Sequence, residues 1–137
     1  MGKSLVIAVL LSSTLLGCST PTSTEIASSL NGAWTLRFDP PESFFGFSLT
    51  SSGADVSGSG DFQGEAGPGG SVTVTGSVVG DQVDLDFVLV TERTGGSTTS
   101  TAHFTGRLLF GSLTGEMQYG TAAPDNPPVP TVFLRNH

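Results

Sequence analysis

The chain has 137 residues, with 12 acidic against 5 basic side chains and a formal charge of −7. That balance argues against nucleic-acid partners, whose phosphates require a basic surface. One cysteine excludes an internal disulfide framework, and the sole lysine, Lys3, leaves the rest of the chain without Schiff-base or Walker-type phosphate chemistry.

The first element is a leader. Lys3 supplies one positive charge, and Leu5-Val6-Ile7-Ala8-Val9-Leu10-Leu11 follows as an apolar run. A membrane-spanning helix needs about 20 apolar residues, so this shorter run has the form of a signal-peptide core. It leads into Leu15-Leu16-Gly17-Cys18, which resembles the bacterial lipobox. The resemblance implies a lipoprotein signal peptide over 1–17, cleavage before Cys18, and a lipid (palmitate among its acyl chains) on that cysteine. The competing reading is ordinary secretion with an incidental cysteine. Lipidation places the protein in the cell envelope, on the outer membrane if the host is Gram-negative, because Ser19 and not Asp follows the cysteine. Several acyl chains at about 0.8 kcal/mol per buried CH₂ make such an anchor stable. Residues 18–31 are expected to be a lipidated N-terminus and flexible tether: they are polar at the start and show no strand alternation.

From Trp34 onward apolar and polar residues alternate between Gly, Pro and Asp clusters, predicting strands over 33–39, 43–50, 54–62, 71–79, 82–92, 99–107, 112–119 and 130–136. In the fifth, Val83, Leu85, Phe87 and Leu89 alternate with polar Asp84 and Asp86, so one face is apolar and the other wet. The sixth puts Ala102, Phe104, Gly106 and Leu108 opposite Thr101, His103, Thr105 and Arg107. A short repeat places Gly58, Gly76, Gly106 and Gly115 on the apolar faces of their strands. Glycine weakens a strand, so its recurrence there predicts sharp bending and room for bulky side chains opposite. Residues 32–137 are therefore expected to form an all-β domain, an eight-stranded antiparallel up-and-down barrel, with an open β-sandwich as the alternative.

Gly32-Ala33-Trp34 resembles the G-x-W signature of the calycin superfamily, which includes lipocalins and avidins. Arg135 stands where lipocalins carry the basic residue that packs across that tryptophan. The resemblance implies that Trp34 and Arg135 close one end of the barrel. It transfers no ligand, since the lipocalin T-D-Y motif, the several tryptophans of avidins and the Arg-x-Tyr clamp of fatty-acid-binding proteins are missing.

Chemistry beyond this is sparse. His103 sits among threonines on a polar strand face, no G-x-S-x-G elbow occurs, and no Cys/His set of zinc-site size is present, so neither a catalytic residue nor a metal or other cofactor is expected. Phe45, Phe47 and Phe62 are the candidate ligand-binding residues, with core packing as their plainer role. The expected function is a lipid-anchored barrel that holds a small apolar or amphipathic molecule. The alternatives are a packed-core structural or protein-interaction domain with an envelope protein partner, or a protease-inhibitor-like module.

Overall fold

A computed structural model describes Gly17 and residues 19–37, 44–63 and 69–136. Cys18, the expected lipid-attachment residue, lies outside the described residues, as do positions 1–16 of the leader. The domain is a closed barrel of eight antiparallel strands in sequence order: β1 (Gly32–Arg37), β2 (Phe44–Ser52), β3 (Asp55–Gln63), β4 (Gly70–Val79), β5 (Gln82–Arg93), β6 (Gly96–Leu109), β7 (Ser112–Tyr119) and β8 (Val129–Arg135). All eight expected strands are present. The first strand closes on the last through Trp34↔Arg135, Thr35↔Leu134 and Leu36↔Phe133, which removes the free edges that an open sandwich would leave.

The strands divide the barrel into two unlike ends. One holds the two-residue turns Gly53-Ala54, Gly80-Asp81 and Phe110-Gly111, together with both chain entries; it is called the tight end below. The other holds the strand ends Arg37, Phe44, Gln63 and Gly70 and the connections 94–95 and 120–128. The proline-rich connection is not loose: Asn126 Nδ2 donates to the carbonyls of Tyr119 (2.7 Å) and Thr121 (3.0 Å), and Ala123 bridges back to Asn126.

The structure corrects the expectation of a flexible tether running to residue 31. Ser23–Ser29 form a helix, α1, that closes the tight end. Its start is a reciprocal cap: the Thr22 hydroxyl accepts from the Glu25 N–H (3.2 Å), and the Glu25 carboxylate accepts from the Thr22 N–H (2.7 Å). Such a pair satisfies two of the orphan donors of a first turn. Ile26, Ala27 and Leu30 lie one above another on one face and are buried, while Thr24, Glu25, Ser28 and Ser29 face out. At seven residues the helix is too short to show periodicity by pattern, and its stability comes from this burial.

The inward positions build one core. Strand parity behaves as expected, with Val83, Leu85, Phe87 and Leu89 buried on β5 and Ala102 and Phe104 on β6. The recurring glycines pair across the sheet with large inward residues: Gly58 with Leu49, Gly60 with Phe47, Gly76 with Leu85, Gly106 with Val83. They also sit against neighbouring backbone. A Cβ on Gly58, Gly76, Gly106 or Gly115 would come within 3.0 Å of the carbonyl oxygen of Ser48, Asp84, Thr114 or Thr105, respectively. These glycines therefore set both the curvature and the close approach of strands in a small barrel.

Candidate functional site

Three regions carry the residues of interest: the plugged tight end, the interior and the outer wall. At the tight end, Trp34 is fully buried, and its indole Nε1 donates to the Leu30 carbonyl at the end of α1 (2.8 Å). The Arg135 guanidinium lies over the Trp34 ring, 4.6 Å from its centroid. Its two terminal nitrogens donate to the carbonyls of Asn31 (2.8 Å) and Ser29. One cation thus covers an aromatic face and satisfies two carbonyls where the helix ends. Gly32 has φ +125°, and a Cβ there would stand 3.3 Å from Arg135 Nη1, so glycine both permits the bend and leaves the guanidinium its place. Further ties hold the plug. Ser23 Oγ accepts from the Gly80 N–H (2.8 Å), and Asn31 Oδ1 accepts from the Ser51 N–H (2.6 Å). The structure brings Trp34 and Arg135 together as a closure.

Inside the barrel, Phe45, Phe47, Phe87, Phe104 and Phe133 form one aromatic cluster. Phe47 meets Phe133 edge-on at 5.0 Å between ring centres and Phe87 at 5.2 Å; Phe45 meets Phe87 at 5.5 Å; Phe104 meets Phe133 at 5.3 Å. These are the preferred edge-to-face spacings of aromatic pairs. Of the three candidate ligand-binding residues, Phe45 and Phe47 are therefore core residues whose rings occupy the barrel centre, with 4% and 3% exposure. Phe62 is half-buried near the opposite end, its ring against Gly70.

The outer wall holds two arrangements that strand patterning alone did not single out. On β5 and β6, His103 Nδ1 faces Asp86 Oδ1 (2.7 Å), its Nε2 faces Thr105 Oγ1 (3.1 Å), and Thr105 Oγ1 donates to Asp84 Oδ1 (3.0 Å). The order hydroxyl–imidazole–carboxylate is that of a nucleophile triad, but the surroundings are not. The hydroxyl hydrogen is directed at Asp84, and β6 is paired with both β5 and β7 at these residues, so its backbone is engaged in two ladders. The group is a cross-strand network tying two acids to one histidine. Registers Asp86↔His103 and Asp84↔Thr105 produce it, and those were not readable before strand pairing was known. The second arrangement is an open hollow of about 600 Å³ across β1–β4, lined by Phe44, Gly46, Ser48, Ser59, Asp61 and Thr73 among others. The Phe44 ring lies over Gly46, which accounts for both the missing side chain and the exposed aromatic.

Tyr119, the only tyrosine, is held above the ordinary phenol pKa because burial disfavours its charged form. Among the described residues, no group of three or more His, Cys, Asp or Glu side chains converges to hold a metal. Comparison of the chain with protein-family models, curated proteins and solved structures finds no significant match.

Proposed function

We propose that this protein is a lipid-anchored lipoprotein of the bacterial envelope whose calycin-like barrel is a filled scaffold, working through its outer surface against an envelope partner. The observation that carries this reading is the interior: five phenylalanine rings in mutual contact occupy the space in which a carrier barrel would keep its cargo. An eight-stranded barrel is narrow enough for side chains alone to fill it. Helix α1 and the Trp34–Arg135 stack support the same reading by sealing the tight end. Trp34 and Arg135 are also the residues on which the calycin resemblance rests. No catalytic step belongs to this reading, and its membrane attachment rests on the Cys18 lipobox.

Two measurements test it. The chain is expressed with its leader in a Gram-negative host supplied with an alkyne fatty acid. Label on the wild type, and its loss together with release from the membrane in Cys18→Ser, is the expected result. Native mass spectrometry of residues 19–137 then reads the interior. A clean apo mass, unchanged after incubation with envelope lipid extract, fits the filled scaffold. A reproducible adduct lost on denaturation would refute it in favour of a small apolar or amphipathic cargo.

A further inference from the structure

The two-residue turn between β6 and β7 is built against its own local rules. Phe110 has φ +50° and Gly111 φ +80°, the paired positive angles of a type I′ hairpin turn. That turn favours Asn-Gly, and a phenylalanine in the left-handed region is strained. Phe110 is also fully exposed, at 106% of its reference area, so no contact within the chain repays the strain. Around it the wall is apolar. Leu109 precedes it, and Leu134 and Val132 project from β8, with Ser112↔Leu134 placing β8 directly beside the turn. Phe110, Leu134 and Arg135 share the lining of one shallow hollow.

The position of this patch in the barrel identifies what covers it. It lies at the tight end, one strand from where Arg135 grips the end of α1. The chain enters at that same end: Thr22 caps α1, and Cys18 precedes it by four residues, a reach of at most about 14 Å. A lipid on Cys18 would therefore keep the tight end close to the bilayer, within reach of the β6–β7 turn.

Resting on the lipid-anchor reading, we infer that the β6–β7 turn is a second membrane contact, with Phe110 inserting at the bilayer interface beside the anchored N-terminus. The charges at this end make the contact apolar. Of the described arginines there, Arg107 pairs with Asp81 (3.5 Å) and Arg135 is engaged by Trp34 and two carbonyls, while Glu25 and Asp55 are exposed acids. Anionic headgroups gain nothing from such a face. An aromatic at the headgroup level, added to an acyl anchor, fixes how the barrel stands on the membrane and points the opposite end, with connections 94–95 and 120–128, away from it.

The test compares two full-length variants, Phe110→Trp at the tight end and Val129→Trp at the opposite end, each made with its leader and purified in detergent. Buried Trp34 gives both the same background. The proteins are reconstituted on phosphatidylcholine vesicles, with or without bromine in the upper acyl chains. The expected result is flotation of both, with the indole at 110 blue-shifted and losing most of its emission to bromine, and the indole at 129 quenched only by aqueous iodide. Replacing part of the lipid with phosphatidylglycerol leaves this unchanged. Flotation with both indoles open to iodide and untouched by bromine overturns the docking while the anchor stands. Failure to float, with an N-terminal peptide mass lacking acyl chains, refutes the anchor and the docking together.

Discussion

Removing Phe133 is the most direct probe of whether the barrel is solid. Its ring is fully buried and sits between four others, with centroids 5.0 Å from Phe47, 5.3 Å from Phe104, 6.0 Å from Phe87 and 6.1 Å from Phe45. Phe133→Ala forfeits about 2 kcal/mol of transfer free energy. The void it leaves, on the order of 100 Å³, costs a further 2.4 kcal/mol or so at about 24 cal/mol per Å³. The expected loss is about 4 kcal/mol, a large share of the roughly 6–18 kcal/mol that a domain of this size holds. Urea unfolding followed by Trp34 emission reads it, and a fall in Tm of about 15 °C should accompany it. The same variant should bind benzene where the wild type does not, because a dry apolar void takes up such a molecule. A loss below about 1 kcal/mol, or equal benzene binding by the wild type, would mean that the rings already border open space and would refute the filled interior.

Other consequences are shorter to state. Arg135→Ala removes the stack on Trp34 and two carbonyl contacts, and should cost about 2 kcal/mol by chemical denaturation; Arg135→Lys, lacking the planar fork, should recover only part. Gly115→Ala drives a methyl group at the Thr105 carbonyl and should destabilise by about 3 kcal/mol, whereas alanine at exposed Thr114 should change little, as paired Tm measurements would show. Phe110→Asn suits the type I′ turn and should stabilise the fold by about 1 kcal/mol in urea even as it weakens membrane contact. Spectrophotometric titration of Tyr119 should give a pKa above the usual value of about 10. Since the folded pKa is the higher one, stability is intact below the unfolded pKa and falls as pH rises from there through the folded value.

The strands were legible because this chain obeys period two nearly everywhere. Inward Val83, Leu85 and Phe87 alternate with wet Asp84 and Asp86, and glycine or proline marks the strand ends. The Trp34–Arg135 closure was visible only through a family resemblance, since the two residues are adjacent solely when β1 meets β8. Helix α1 was missed for a physical reason: seven Ser/Thr-rich residues have little intrinsic helicity, and the barrel end that buries Ile26, Ala27 and Leu30 supplies what the segment lacks. The Thr22–Glu25 capping spacing was the one local signal of it. The His103 network and the hollow under Phe44 depend on cross-strand register, which alternation within single strands does not encode. The strain at Phe110 was equally silent: the residue falls between the predicted strands 99–107 and 112–119, and only its positive φ marks it.

The distribution of glycine and phenylalanine links fold to function. Most of the large inward rings come from β2, β5 and β8, and the inward glycines from β3, β4, β6 and β7, so a ring or a leucine commonly meets a position with no side chain. Volume complementarity of this kind leaves close-packed atoms where a binding barrel keeps a void, and enlarging either partner would strain backbone as well as side chains. A polar lining would have been needed to orient an amphipathic guest, yet Thr131 is the sole buried polar side chain among the described residues, and its hydroxyl donates to the Val129 carbonyl. On the proposed reading of a filled interior, specificity falls to the wall and the two ends. The tight end is committed to α1 and, on the reading above, to the membrane. On that proposal the outer wall and the opposite end, where Asn126 pins the proline-rich connection in one shape, are the surface open to an envelope partner. A connection ordered in advance loses little freedom on contact, which suits recognition by surface rather than by enclosure.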